Sequence, residues 1–158
     1  MKAVAHNFFS VGAELCFASA VPWPSPLPLV LGAWLGLSIG YVLDWVGHST
    51  RQGRSVRTWF THSLVTAPLW GASLGVATVF VTAGLLGVAL RGQLVELACA
   101  LGAIAAYSHL LLDALTEGGI FGLRHRIAVA HFGNGNAVLN STFVLIGIAL
   151  GLEGLHIL

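Results

Sequence analysis

Charged residues are scarce in this chain of 158 residues. Aspartate, glutamate, lysine and arginine together make up 8% of it, against about 25% in ordinary soluble domains. Apolar residues make up 56%, and the mean hydropathy is +0.86. So few charges cannot cover the surface of a soluble domain of this size, so the composition predicts a single integral membrane domain over residues 1–158.

Basic residues and cysteines are also few, and their scarcity excludes further classes of function. The seven Lys and Arg residues are too sparse for a nucleic-acid-binding surface. Cys16 and Cys99 lie in apolar stretches without Cys-x-x-Cys spacing, so we interpret them as packing residues. The N-terminal stretch resembles a secretory signal, but His6 and Glu14 interrupt its apolar part and favour a retained first helix.

Five apolar stretches are separated by short polar or proline-rich segments. A bilayer core needs about 20 apolar residues per helix, and this predicts an all-α fold, a compact bundle of about five transmembrane helices. The expected helices cover residues 3–21, 27–47, 64–90, 94–115 and 137–158. Gly32, Gly36 and Gly40 form a small-xxx-small ridge, which favours close packing against another helix or against a second copy in a homodimer.

The basic residues fall on one side when the helices alternate across the membrane. The opposite side carries only Arg91. The basic side carries Lys2, Arg51, Arg54, Arg57, Arg124 and Arg126. By the positive-inside rule the basic side faces the cytoplasm. We therefore expect a multi-pass protein of the cytoplasmic (inner) membrane in contact with membrane lipids, with its N-terminus inside and its C-terminus outside.

The same alternation brings the metal-binding residue types to the cytoplasmic boundary. Residues four apart on a helix share a face, so Asp44 with His48, and His109 with Asp113, each present a carboxylate beside an imidazole. These groups are usual zinc ligands, and they suit one or two divalent ions, with zinc favoured over manganese or iron. Each histidine alone would more often be a hydrogen-bonded interfacial residue. The candidate ligands are His6, Asp44, His48, His62, His109, Asp113 and His131.

Other polar residues near these ligands are candidates for substrate binding and catalysis. Arginines can clamp an anionic group beside a metal, and asparagine side chains can orient it. The candidate substrate-binding residues are Arg57, Arg124, Arg126, Asn134, Asn136 and Asn140. Asp113 and His109 are candidate catalytic residues as well as ligands. Glu117, one helical turn beyond Asp113, is a candidate proton carrier.

Four separated motifs resemble a known family. They are His6-Asn7-Phe8-Phe9-Ser10, the run from Asp44 to His48, Arg57-Thr58-Trp59-Phe60-Thr61-His62-Ser63-Leu64 and Ser108-His109-Leu110-Leu111-Leu112-Asp113-Ala114-Leu115-Thr116. In this order they resemble the prokaryotic family of membrane-bound, metal-dependent hydrolases, especially its archaeal branch. Arg126 and the blocks His131-Phe132-Gly133-Asn134 and Asn136-Ala137-Val138-Leu139-Asn140 are also similar to that branch. The resemblance implies metal-dependent hydrolysis, with ligands His6, Asp44, His48, His62, His109 and Asp113.

The chain departs from that family in one motif. Many members carry Pro-Asp-x-Asp-His, whereas here Leu43 precedes Asp44 and no second acidic residue stands before His48. This leaves open whether Asp44 and His48 share one metal. A looser resemblance to zinc-dependent phospholipase C rests on the order of the His and Asp residues.

The predicted function is hydrolysis of a phosphoester or other ester of a lipid or amphipathic substrate at the cytoplasmic face. Two alternatives remain open. One is a metal or ion transporter, although such proteins usually place their sites near the bilayer midplane. The other is a non-catalytic membrane scaffold that uses a structural metal to join helix ends.

Overall fold

A computed structural model of the chain describes residues 1–51, 54–123 and 125–157. Within these ranges the chain forms five α-helices, and two of the connections each contain a two-stranded antiparallel sheet. The elements are α1 (Ala3–Ser19), α2 (Leu27–Gly47), β1 (His48–Arg51), β2 (Arg54–Arg57), α3 (Thr66–Leu86), α4 (Gly92–Ala114), β3 (Ile120–Phe121), β4 (Arg126–Ile127) and α5 (Ala137–Gly154). The predicted all-α class is confirmed.

Four of the described helices are long and apolar enough to cross a membrane, namely α2, α3, α4 and α5. The first predicted span is the exception. The helix α1 has 17 residues and buries His6 and Glu14, so it is shorter and more polar than the other four. Five membrane-spanning helices were expected, and four of the described helices have the length and composition to span a membrane.

The helix ends differ from the expected ones where a local signal stops the helix. The helix α3 ends at Leu86 instead of residue 90, because Gly87 adopts the left-handed conformation with φ of 63°. The helix α1 ends at Ser19, ahead of the proline-rich turn. The helix α2 has the predicted bounds, since prolines precede it and a polar segment follows it.

Glycines set the spacing between the helices. The helix α1 packs against α2, α4 and α5, and α4 packs against α1, α2 and α3. The backbone of Gly71 fills the space that a Cβ on Gly102 would need, so α3 and α4 meet in backbone contact. Gly32 and Gly36 face the backbone of α1 in the same way, whereas Gly40 faces the ring of His109. The predicted ridge is thus a packing surface within the chain.

The two polar connections fold over one end of the bundle. Both were expected to be loops. The strands of the first connection are too polar, and those of the second too short, to show an alternating pattern in the sequence. His48 pairs with Arg57 in the first sheet. The Phe121 amide donates to the carbonyl of His62 at 2.8 Å, and the Leu64 amide donates to the carbonyl of Phe121 at 2.9 Å. These bonds hold the segment before α3 against the segment after α4.

Candidate metal centre

Four side chains converge at this end of the bundle. Asp44 comes from the last turn of α2, His62 from the connection before α3, and His109 and Asp113 from the end of α4. Each offers one oxygen or nitrogen atom, and the four atoms all lie within 4.8 Å of one another. The side chains of His62, His109 and Asp113 are 0%, 1% and 0% exposed, but that of Asp44 is 40% exposed. The cluster is therefore buried, with access from outside at Asp44.

The spacing of these atoms fits a small divalent ion. Asp44 Oδ1 lies 3.2 Å from His62 Nε2 and 3.3 Å from His109 Nε2. Asp113 Oδ2 lies 3.5 Å and 3.4 Å from the same two nitrogens. Ligands bound tetrahedrally to zinc at ~2.0–2.1 Å are roughly 3.3–3.4 Å apart. The four residues could hold such an ion without a large rearrangement.

Two of the four converging atoms have no hydrogen-bond partner among the described residues. They are His109 Nε2 and Asp113 Oδ2, and both are buried. A buried polar atom without a partner costs about 1–3 kcal/mol, and more when it is charged. A cation in the cluster would interact with both atoms. Their lack of a hydrogen bond is therefore a second observation in favour of a metal.

The other oxygen of Asp113 is held from the opposite side. Arg57 Nη2 donates to Asp113 Oδ1 at 2.5 Å, and His6 Nε2 lies 3.1 Å from the same oxygen. Arg57 Nη1 also donates to Thr116 Oγ1 at 3.0 Å and to the carbonyl of Gly119 at 3.3 Å. These contacts fix the carboxylate so that Oδ2 faces the other ligands. Arg57, expected to bind substrate, is therefore placed to position Asp113.

The ring of His62 is positioned by two residues that sequence reasoning missed. The hydroxyl of Thr61 lies 2.8 Å from His62 Nδ1, and it can accept the Nδ1 proton when Nε2 binds a cation. A Cβ on Gly47 would overlap with Thr61 Oγ1 and lie 2.8 Å from His62 Nδ1. Burial lowers the pKa of His62, which favours the neutral ring, the form that binds metals.

Three other candidate ligands lie outside the four-residue cluster. The ring of His6 stacks on the ring of His109 with centroids 4.3 Å apart, and its Nε2 lies 3.1 Å from Asp113 Oδ1. His48 Nδ1 donates to the main-chain carbonyl of Asp44 at 2.7 Å. The carboxylate of Asp44 is farther from this nitrogen, at 3.5 Å. His131 is exposed and is not among the described members of the cluster.

A polar pocket of about 530 Å³ lies in front of the cluster. Glu117 and Arg126 line it, and both are exposed. The guanidinium of Arg126 lies over the ring of Phe121 at 5.7 Å from its centroid. The pocket also reaches Asn134 and the cluster itself at Asp44. An anion that enters this pocket from solvent could therefore contact both Arg126 and a cation held by the cluster.

The remaining candidate substrate-binding residues have other neighbours. Asn136 caps α5 by accepting a hydrogen bond from the Leu139 amide at 2.9 Å. Asn140 accepts from the Lys2 amide at 2.8 Å and donates to the carbonyl of Asn136 at 2.6 Å, which ties the start of α1 to α5. Arg124 lies outside the described residues.

Comparisons with protein-family models, curated proteins and solved structures found no match for this chain. The resemblance noted above therefore rests on the four motifs alone. The chemistry of the site has to be argued from its own residues and distances.

Proposed function

We propose that this protein is a membrane-embedded, metal-dependent hydrolase that cleaves a phosphoester at the cytoplasmic face. The observation that carries the proposal is the convergence of Asp44, His62, His109 and Asp113, in which two buried ligand atoms lie near opposite groups without forming a hydrogen bond. Membrane insertion is supported by the four apolar helices. It is also supported by large apolar side chains on their outer faces, such as Leu85 at 82% and Val138 at 77% exposure.

The chemistry combines the metal with residues of the polar pocket. A divalent metal held by the four ligands would supply Lewis acidity and a water of lowered pKa. Arg126, exposed in the pocket, would bind two phosphate oxygens through its guanidinium. The attacking water would form a bond to phosphorus as the ester P–O bond breaks, and Glu117, which lines the same pocket, would accept the proton of the water and pass it to the leaving alcohol. Arg57 and His6 hold Asp113 in place.

One observation favours a second candidate, a scaffold with a structural metal. Structural zinc sites have four protein ligands and no open position, whereas catalytic sites usually have three protein ligands and a water. The cluster offers four ligands, three of them buried. The exposure of Asp44, at 40% of its side chain, favours the catalytic reading because this ligand borders the pocket.

The test is hydrolysis of p-nitrophenyl ethyl phosphate by the purified full chain after removal of metal and reloading with zinc, manganese or iron. We expect p-nitrophenol release to stop on chelation and to return on reloading. Arg126→Ala should lower kcat/KM about tenfold or more, because the phosphate loses a charge-assisted bidentate partner. Arg91→Ala, which removes an exposed arginine at the other end of the bundle, is the matched control. Melting on chelation without any hydrolysis would instead support the scaffold.

A further inference from the structure

An apolar groove leaves the metal centre along the seam between α1 and α2. Its first part has a volume of about 310 Å³ and is lined by His6, Asp44 and His109 of the site and by Tyr41 and Trp45. Its second part, of about 290 Å³, is lined by Val4, Val11 and Leu37. Asn7 lines both parts, so the second part adjoins the first on the side toward the middle of the helices.

The groove is open on its outer side. Along it, Trp45 is 85% exposed, Tyr41 64%, Val4 58% and Leu37 45%. In a bilayer these side chains face lipid, so a hydrocarbon chain could enter sideways. A larger apolar pocket, of about 440 Å³, lies beside α4, but the described residues that line it include none of those lining the polar pocket. The α1–α2 groove, by contrast, shares lining residues with the polar pocket.

The apolar groove and the polar pocket meet at two residues. His6 and Asp44 line both spaces. The lining of the polar pocket includes Arg126 and Arg57, the latter bound to Asp113, together with the carboxylates of Asp44 and Glu117. The described lining of the groove contains no lysine or arginine. A molecule that fills both spaces therefore has a polar end and an apolar end, and a polar end that binds Arg126 and a cation held by the cluster is anionic.

We propose that the α1–α2 groove binds the hydrocarbon chain of a lipid phosphoester whose head group occupies the polar pocket. The inference rests on the proposed function and names its substrate class. Inside a bilayer or a detergent micelle the chain moves from one apolar environment to another, so its affinity for the groove comes from close packing rather than from the hydrophobic effect. The groove also orients the substrate, because a chain lying along α1 and α2 places the phosphate at the junction beside Asp44.

The reaction on such a lipid is a simple hydrolysis. The oxygen of water bonds to phosphorus, one P–O ester bond breaks, and the alcohol that leaves takes up a proton. The hydrocarbon chain stays in the groove on whichever product carries it. Water is the only co-reactant required.

The test compares two chromogenic diesters, p-nitrophenyl hexadecyl phosphate and p-nitrophenyl ethyl phosphate, with the full chain in detergent. Leu37→Trp fills the groove, and Leu145→Trp, at a leucine 65% exposed on α5, is the matched control. We expect the wild type to prefer the hexadecyl diester. Leu37→Trp should lower kcat/KM for that diester about tenfold and leave the ethyl diester within about twofold, since only the long chain reaches the groove. Equal effects on both diesters, or equal wild-type rates, would overturn the inference.

Binding of non-hydrolysable analogues separates this inference from the hydrolase proposal. Hexadecylphosphonate should bind the wild type more tightly than ethylphosphonate, and Leu37→Trp should remove the difference while Leu145→Trp keeps it. That result with neither diester cleaved would uphold the groove and contradict the hydrolase activity. No dependence of binding on chain length would overturn the groove. If Leu37→Trp does not fold, Val4→Trp provides the same test at another exposed groove residue.

Discussion

The charge balance of the site is concentrated on Asp113. Its side chain is fully buried, with Arg57 and His6 at one oxygen and two further imidazoles facing the other. Arg57 is the only one of these neighbours that is always charged. Without a metal, Arg57 therefore provides the compensation that a buried carboxylate requires.

Removing this compensation should destabilise the protein. Arg57→Ala leaves Asp113 with an uncompensated buried charge, which typically costs about 3–5 kcal/mol. We expect the free energy of unfolding, measured by denaturant titration in detergent, to fall by that order in metal-free protein. The loss should be smaller in metal-loaded protein. Arg91→Ala is the control for loss of an arginine. Equal stability of the two variants would mean that Arg57 does not hold Asp113.

At the residue scale the sequence predicts part of the site. The spacing of His109 and Asp113 on one helix places both in the cluster, because helical periodicity fixes their relative positions. His62 lies in a non-helical connection, so its position depends on contacts with Phe121 that no spacing rule predicts. Thr61 was missed because its role is a contact between its hydroxyl and the ring of the next residue. Gly47 was missed because it lies at the end of α2 and matters only through the space it leaves for Thr61 and His62.

At the element scale, the end of α2 is joined closely to the segment before α3. The carbonyl of Gly47 accepts a hydrogen bond from the Thr58 amide at 2.8 Å. The absence of a side chain on Gly47 leaves room for Thr61 and His62. The geometry of His62, a candidate metal ligand, therefore depends on a glycine of a different element.

Adding a methyl group there should damage the site. Gly47→Ala should displace His62 and weaken metal binding about tenfold or more, by analogy with loss of other residues that orient ligands. Zinc titration by isothermal calorimetry measures the effect. Gly84→Ala, where nothing lies within 4 Å of the added Cβ, is the control and should be slightly more stable because alanine is the better helix former. Unchanged zinc affinity in Gly47→Ala would contradict this account of His62.

The helices could be predicted from the sequence and the sheets could not. Long apolar runs bounded by prolines, glycines or polar segments indicate α2 to α5 clearly. The strands Ile120–Phe121 and Arg126–Ile127 have two residues each, too few to show the period of two that identifies a strand. Their pairing follows from the folding of the connection against α4 rather than from local preference.

At the scale of the whole molecule, the two ends of the bundle differ in chemistry. The metal cluster and the polar pocket lie at the end where α2 and α4 finish, and Arg57 and Arg126 are there. The turn between α3 and α4 lies at the other end and carries Arg91. The positive-inside rule predicts from this difference that the site faces the cytoplasm.

Cysteine labelling tests that orientation. In a background with Cys16→Ala and Cys99→Ala, a membrane-impermeant maleimide should label Val88→Cys in intact spheroplasts, because its turn is at the outer end. Leu123→Cys, in the exposed hairpin beside the site, should be labelled only after permeabilisation. The reverse pattern would place the site outside the cell and contradict the proposed orientation.

The most direct test of the central claim is the metal content of the purified chain, measured by inductively coupled plasma mass spectrometry. We predict about one zinc, manganese or iron ion per wild-type chain, because four ligand atoms make one coordination site. His109→Ala and Asp113→Asn should lose the ion, whereas His131→Ala, a histidine outside the cluster, should keep it. A folded wild type without metal after reloading, or full metal content in His109→Ala and Asp113→Asn, would contradict the claim.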